Sequence, residues 1–230
     1  MRYGLRGIVA FMAICLVVGN AFENLSILTG FPFGHYYFTG LMGPRILHVP
    51  ILLGLAYVGM GYLSWTLGLL ILRGVRVLTL PLAASFIMVA WDLSMDPVWS
   101  TIMHSWIWPR GGVYCGVPVS NFLGWYLTVY VIYQLFALYL RRHAIPSHSL
   151  PLSYWRVAIL FYGVSAAGNL ALVPRAGLSV VSDPTGAQWK VSGILAASAL
   201  VSIFVMGAFA LLAWLRLTEN LPPQDVRISP

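Results

Sequence analysis

The sequence predicts an all-α fold, a polytopic membrane bundle of about six transmembrane helices. Three observations predict it. Of 230 residues, 60% are hydrophobic and 8% charged, against about 25% charged in an ordinary soluble domain. The mean hydropathy is +0.84. The apolar residues gather in six runs, approximately Leu5–Phe22, Leu47–Leu72, Val77–Asp96, Val117–Leu140, Trp155–Val173 and Val191–Leu217. Each can cross a hydrocarbon core of about 30 Å as a helix. None has the period-two alternation of a membrane barrel strand. So little charge could not hold such a surface in water, which excludes a soluble globular domain.

The first run follows a basic start, Met1–Arg6, and Gly19-Asn20-Ala21 resembles a small-x-small cleavage site. A signal peptide therefore competes with a retained span. The retained span is the better reading, because the residues just beyond it carry chemistry. Arg73-Gly74 closes the second run. The third ends at Asp96, since the residue before a proline (here Pro97) is pushed out of helical conformation. Arg141-Arg142 closes the fourth and Pro174 the fifth. Residues 1–220 are expected to form a single transmembrane domain. Residues 221–230, with three prolines and no apolar run, are expected to be a disordered cytoplasmic tail.

Basic residues set the orientation. One side of the bundle collects Arg2, Arg6, Arg73, Arg76, Arg141, Arg142, Arg156, Arg216 and Arg227; the other collects Arg45, Arg110, Arg175 and Lys190. Cytoplasmic loops carry the excess, so both termini are expected to be cytoplasmic. The net charge of +7 comes from single basic residues between apolar runs. It is a topology signal, not a nucleic-acid footprint. Cys15 in a span and Cys115 in a loop make an improbable disulfide pair, and no Cys/His metal spacing exists.

Of six acidic residues, Glu219 and Asp225 lie near the C-terminus, and Asp183, before Pro184 and Gly186, makes a turn. Glu23, Asp92 and Asp96 are different. Ionisable groups within spans are costly, so they usually face the bundle interior and mark function. The first and third spans run in the same direction, which puts all three at one level. Asn20, His48, Asn121 and Asn169 fall near that level too. Asp92 and Asp96, four apart, share a helix face about 5–6 Å apart. Two carboxyls so close resist ionising together, and a carboxylic acid that keeps its proton is what a general acid requires. A purely structural role competes: Asp96 as a cap, Asp92 bonded to a neighbouring helix. Asp-x-x-x-Asp could also hold magnesium and a diphosphate, but one acidic cluster with only Arg45 and Arg110 as cations fits that poorly. No metal is expected.

Aromatic residues crowd the same end: Phe31, Phe33, Tyr36, Tyr37 and Phe38, then Trp91, Trp99, Trp106, Trp108 and Tyr114. Some belong to an interfacial belt. Four tryptophans between positions 91 and 108 exceed a belt. Ring faces stabilise cations, so an aromatic pocket with a proton donor suits carbocation chemistry on an isoprenoid. His35, His104, His143 and His148 give no metal spacing, and no nucleophile elbow, P-loop, dinucleotide fingerprint or zinc-protease helix is present.

Two stretches carry a resemblance. One is Phe31-Pro32-Phe33-Gly34-His35-Tyr36-Tyr37-Phe38-Thr39, continuing through Leu41-Met42-Gly43-Pro44-Arg45 to Val49-Pro50. The other is Ala90-Trp91-Asp92-Leu93-Ser94-Met95-Asp96-Pro97, then Trp106-Ile107-Trp108, Gly112-Val113-Tyr114-Cys115-Gly116-Val117-Pro118 and Asn121-Phe122-Leu123-Gly124-Trp125. Together they resemble the membrane carotenoid-biosynthesis hydratases, over about Glu23 to Trp125; the last two spans match in hydropathy only. The resemblance implies addition of water across the terminal C1=C2 bond of an acyclic carotenoid end, without a cofactor. Asp92 is then the expected acid, Asp96 its partner, and Glu23 or Asn121 the group that positions water. Phe33, Tyr36, Tyr37, Trp91, Trp108, Tyr114 and Trp125 are the expected substrate-binding residues, with a lateral opening between helices for a lipophilic carotenoid or other isoprenoid. The partners are that substrate, the lipid bilayer and other carotenoid-pathway enzymes; the setting is a bacterial or archaeal cell membrane. A cyclase beginning with the same protonation, and a non-catalytic carotenoid-binding or assembly protein, are the competing readings.

Overall fold

The computed structural model describes residues 2–73, 77–143, 150–175 and 177–219. The expected tail at 221–230 lies outside the described residues. Six helices form the bundle: α1 (Gly4–Thr29), α2 (Ile51–Leu72), α3 (Thr79–Pro97), α4 (Val119–Arg142), α5 (Leu152–Leu170) and α6 (Val191–Thr218). Four of them, α1, α2, α4 and α6, are long and apolar enough to span a membrane by composition alone. The other two, α3 and α5, have 19 residues each, about 28 Å of helix. In α3 the two aspartates lower the hydropathy of a helix that is otherwise the most enclosed of all.

That enclosure is the main architectural fact. Helix α3 packs against α2, α4, α5 and α6, while α1 lies outside it against α2 and α4. Position in the bundle explains burial. On α1 the buried residues Gly7, Phe11, Cys15, Gly19 and Glu23 recur every four positions, a single stripe turned inward. The remaining face presents Leu5, Val9, Leu16 and Val17 outward. On α3 the buried residues fall on every side, Asp92 and Asp96 among them. Both cysteines are free.

Several boundaries differ from expectation. Helix α1 runs on to Thr29, so Glu23 lies within it. It stops at Gly30, whose φ of 84° is the left-handed cap that glycine adopts without strain. Residues before Ile51 form a tight pair of strands, β2 (Arg45–Ile46) and β3 (Val49–Pro50), and not the start of a span. Pro97 does not end its helix at Asp96 as the sequence suggests. The chain continues helically through Pro97 into a π-turn at Val98–Ile102. The reason lies in the backbone carbonyls. Pro97 has no N–H for the carbonyl of Leu93, four residues back; the Tyr114 hydroxyl donates to that carbonyl instead, at 3.2 Å. The Ser94 carbonyl accepts from Ser198 on α6. Neighbours thus satisfy the groups that proline frees. A second π-turn, Ser202–Met206, interrupts α6.

The remaining strands pair antiparallel: β1 (Tyr37–Phe38) with β4 (Trp106–Ile107), and β5 (Val180–Ser182) with β6 (Gln188–Lys190). Asp183 makes the β5–β6 turn, accepting from the Thr185 hydroxyl and N–H, the Ala187 N–H and the Trp189 indole. Burial opposes its ionised form, but these donors outweigh burial and hold its carboxyl below the ordinary value of 3.8. A lowered value stabilises the hairpin above the unfolded carboxyl's range, and that contribution is lost as pH falls through the folded value. Protease resistance of the hairpin is therefore expected to persist in mild acid. In Asp183→Ala it should be lost at every pH; a variant as resistant as the parent would show that the strands alone hold the turn.

Candidate active site

The three intramembrane carboxyls meet at the loop end of the bundle. Glu23 comes from the inward stripe of α1, Asp92 and Asp96 from adjacent turns of α3, and Asn121 from the first turn of α4; all four are 3% exposed or less. The Asn121 amide bridges the aspartates, Nδ2 donating to Asp92 Oδ2 at 3.2 Å and to Asp96 Oδ2 at 2.7 Å. The Trp106 indole N–H donates to Asp96 Oδ1 at 2.6 Å. Tyr57 on α2 donates to Glu23 Oε1 at 2.7 Å, and Tyr36 donates to Glu23 Oε2. Among the described residues no lysine or arginine pairs with any of these carboxyls.

This inventory separates the three. Both oxygens of Asp96 and both of Glu23 accept hydrogen bonds. Asp92 accepts on Oδ2 only, and no described residue donates to Oδ1. An acceptor without a donor is where a carboxyl can carry a proton. Asp92 is therefore the member of the set placed to present one.

The aromatic wall is assembled by a loop that folds back into the bundle. Phe33 N–H donates to Ser26 Oγ, Ser26 Oγ donates to the Gly34 carbonyl, and Ser120 Oγ donates to the Phe33 carbonyl. Gly34, at φ 113°, turns the chain there. Beyond it the backbone is extended and side chains alternate: Tyr36 is 6% exposed, Tyr37 52% and Phe38 5%. Pairing with β4 brings Trp106 opposite Phe38. Arg45 Nη2 donates to the carbonyls of Phe38 and Thr39, so this guanidinium is committed to the loop. Among the described residues no three His, Cys, Asp or Glu side chains converge as metal ligands.

Two spaces meet at the site. The chamber between Glu23, Asp92, Asp96 and Asn121 is walled by Phe33, Tyr36, Phe38, Trp106, Trp108 and Trp125. It leaves about 20 Å³ for the centre of a water molecule, enough for one. Beside it runs an open groove of about 950 Å³ between α2 and α5, floored by Trp91, Met95 and Trp99 of α3 and the turn after it. Its walls extend from Leu52 to Thr66 on α2 and from Tyr154 to Asn169 on α5, about 20 Å of helix. Small residues, Ala56, Gly59, Ala158 and Ser165, leave the space of the groove unfilled. Leu53, Met95 and Trp106 line both spaces. These three side chains form the wall between the groove and the carboxyl chamber.

A family model described as "Carotenoid biosynthesis protein" matches residues 1–182. The chain belongs to the carotenoid biosynthesis protein family. The match covers α1 to α5 and therefore every residue of the chamber; it extends well past Trp125, where the motif resemblance ends. No curated protein and no solved structure matches the chain.

In this member of the family Glu23, Asp92, Asp96, Asn121, Phe33, Tyr36, Trp108 and Trp125 share the chamber. Trp91 lines the groove and packs edge-on against Trp125. Two expected substrate residues lie elsewhere. Tyr37 faces out, on the wrong side of the alternation, and Tyr114 supports the Leu93 carbonyl while packing on Phe122. The polar residues expected at one level form three separate clusters. Asn169 bonds Ser94 and Ser202, away from the carboxyls. Asn20 and Asn24 bond each other, and Asn24 accepts the backbone N–H of His48, whose side chain is exposed. Tyr57 and Trp106 were not among the expected site residues. Tyr57 stacks on Trp125 at 4.6 Å, in room left by Gly19. A tyrosine in an Ala/Gly/Leu-rich run was the available signal, but Tyr62 in the same run gives the same signal.

Proposed function

We propose that this protein hydrates the terminal C1=C2 bond of an acyclic carotenoid end. The observation that carries the reading is Asp92 Oδ1, an acceptor without a donor, in a one-water chamber divided from an apolar groove by Leu53, Met95 and Trp106, which move aside to admit the carotenoid end. Asp92 gives its proton to C2, which leaves a tertiary cation at C1. Water adds to C1, and the proton it sheds returns to the Asp92 carboxylate. The sum is alkene plus water giving a tertiary alcohol. Asp96 and Asn121 hold Asp92 in place, Glu23 faces the water, and the rings of Trp106, Trp108 and Trp125 shield the cation. The test is expression in a host that accumulates acyclic carotenoids, followed by product mass. A gain of one water supports hydration. A new ring at constant mass would mean a cyclase, and unchanged pigment a binding protein.

Trp91→Leu is expected to lower turnover by up to about tenfold, the scale of an edge-to-face aromatic pair, because Trp91 floors the groove and packs on Trp125 of the chamber. Folded yield in detergent should change little; equal losses in both would mean that the ring only packs. For orientation we propose cytoplasmic termini, from the asymmetry of basic residues. In a cysteine-free background an impermeant thiol reagent added outside should label His35→Cys and Arg110→Cys but spare Arg142→Cys. Labelling of the last alone would invert the bundle.

A further inference from the structure

Hydration needs water in a chamber whose other neighbour is a hydrocarbon groove. A different space lies at the loop end. A cleft of about 400 Å³ is lined by Thr29, His35, Arg110 and Ser120, with Gly34, Trp108, Gly111 and Pro118. Those four polar side chains give ordered water its partners, beside Phe31 and other apolar groups of the lining. Among the described residues Trp108 is the side chain that borders both this cleft and the carboxyl chamber. Trp108 is 4% exposed, and its indole N–H is buried with no acceptor among the described residues. Buried donors are nearly always satisfied, by protein or by water. The ring is also held in place: it packs on Tyr36 at 4.8 Å and passes close to Gly34, where an added Cβ would sit 3.6 Å from it.

We propose that Trp108 is the threshold of a water path from this polar cleft to the carboxyl chamber, its indole N–H holding the water that enters. Resting on the hydration reading, this assigns separate entrances to the two reactants. The carotenoid arrives laterally through the α2–α5 groove, and water arrives from the loop end past Trp108. The separation matters chemically, because a hydrocarbon chain lying in the groove blocks that side to water. Trp108 is a positioning residue for water, and it also bounds the space that the cation occupies.

The test uses the full-length protein in lipid nanodiscs, with radiolytic hydroxyl labelling of Tyr36 as a readout of chamber water. Tyr36 lines the chamber and not the groove. Exposed Arg110 is replaced, as Arg110→Cys, in a background lacking Cys15 and Cys115, and a bulky thiol reagent is attached to fill the cleft. Tyr36 labelling is expected to fall about fivefold, and so is water addition, while quenching of tryptophan fluorescence by the bound polyene persists. Trp108→Phe keeps a ring and removes the N–H; it should reduce Tyr36 labelling about fivefold, the scale of one hydrogen bond, at unchanged thermal stability. Tyr36 labelling indifferent to both changes overturns the water path. Labelling that responds in a protein forming no water adduct upholds the path and defeats the hydration reading instead.

Discussion

Asp92→Asn is expected to abolish conversion of the carotenoid while leaving the protein inserted and folded. Asparagine has the same shape, and its carbonyl can still accept from Asn121 Nδ2 as Asp92 Oδ2 does. A purely structural polar contact therefore survives the change. What is lost is a proton that can be given to an alkene, a very weak base. Positioned general acids contribute about 10²- to 10⁴-fold, and the loss should lie at the upper end, because no other oxygen in the set is free. Asp96 is bound by Trp106 and Asn121, and Glu23 by Tyr36 and Tyr57. Asp96→Asn is expected to be milder, since it removes a support and not the donor. Full turnover in Asp92→Asn, measured by product mass in the same host, would sink the assignment and move suspicion to Glu23.

Gly112→Ala is expected to prevent folding of most of the protein. A Cβ at Gly112 would lie 2.0 Å from the carbonyl carbon of Val117 and 2.1 Å from the nitrogen of Pro118. Both are backbone atoms, so no rotamer change can make room. The displaced segment is the tight turn in which Gly116 N–H bonds the Gly112 carbonyl and Tyr114 and Val117 bond each other. It carries the Tyr114 hydroxyl to the Leu93 carbonyl and leads directly into α4 and Asn121. Overpacking of side chains costs about 1–3 kcal/mol, and a backbone collision at such a junction should exceed that. Gly168→Ala is the control: nothing lies within 4 Å of its Cβ position, and alanine is the better helix former. Detergent-soluble yield and thermal midpoint should collapse in the first variant and hold in the second. A normal midpoint in Gly112→Ala would mean that the turn can reopen without loss.

The linear order of apolar and ionisable residues was enough to set out six helices and to bring Glu23, Asp92 and Asp96 to one level of the bundle, where the structure gathers them. Transfer into hydrocarbon is close to a sum over residues, so it can be read along the chain. The inward stripe of Gly7, Phe11, Cys15, Gly19 and Glu23 was not read from the sequence. Nor was the alternation that turns Tyr36 in and Tyr37 out, both of which had been expected in the pocket. Other features depended on which helices became neighbours. In a membrane the lipid-facing and core-facing sides of a helix are both apolar, so composition does not say which face turns inward. The enclosure of α3, the stacking of Tyr57 on Trp125 and the groove between α2 and α5 were hidden for that reason. The same holds for Pro97. A proline before a loop and a proline inside a helix read alike, until Tyr114 supplies the hydrogen bond that the helix lost. The three polar clusters also shared a depth that sequence could estimate. Their separation is lateral, and lateral position is set by packing between helices, which no single span encodes.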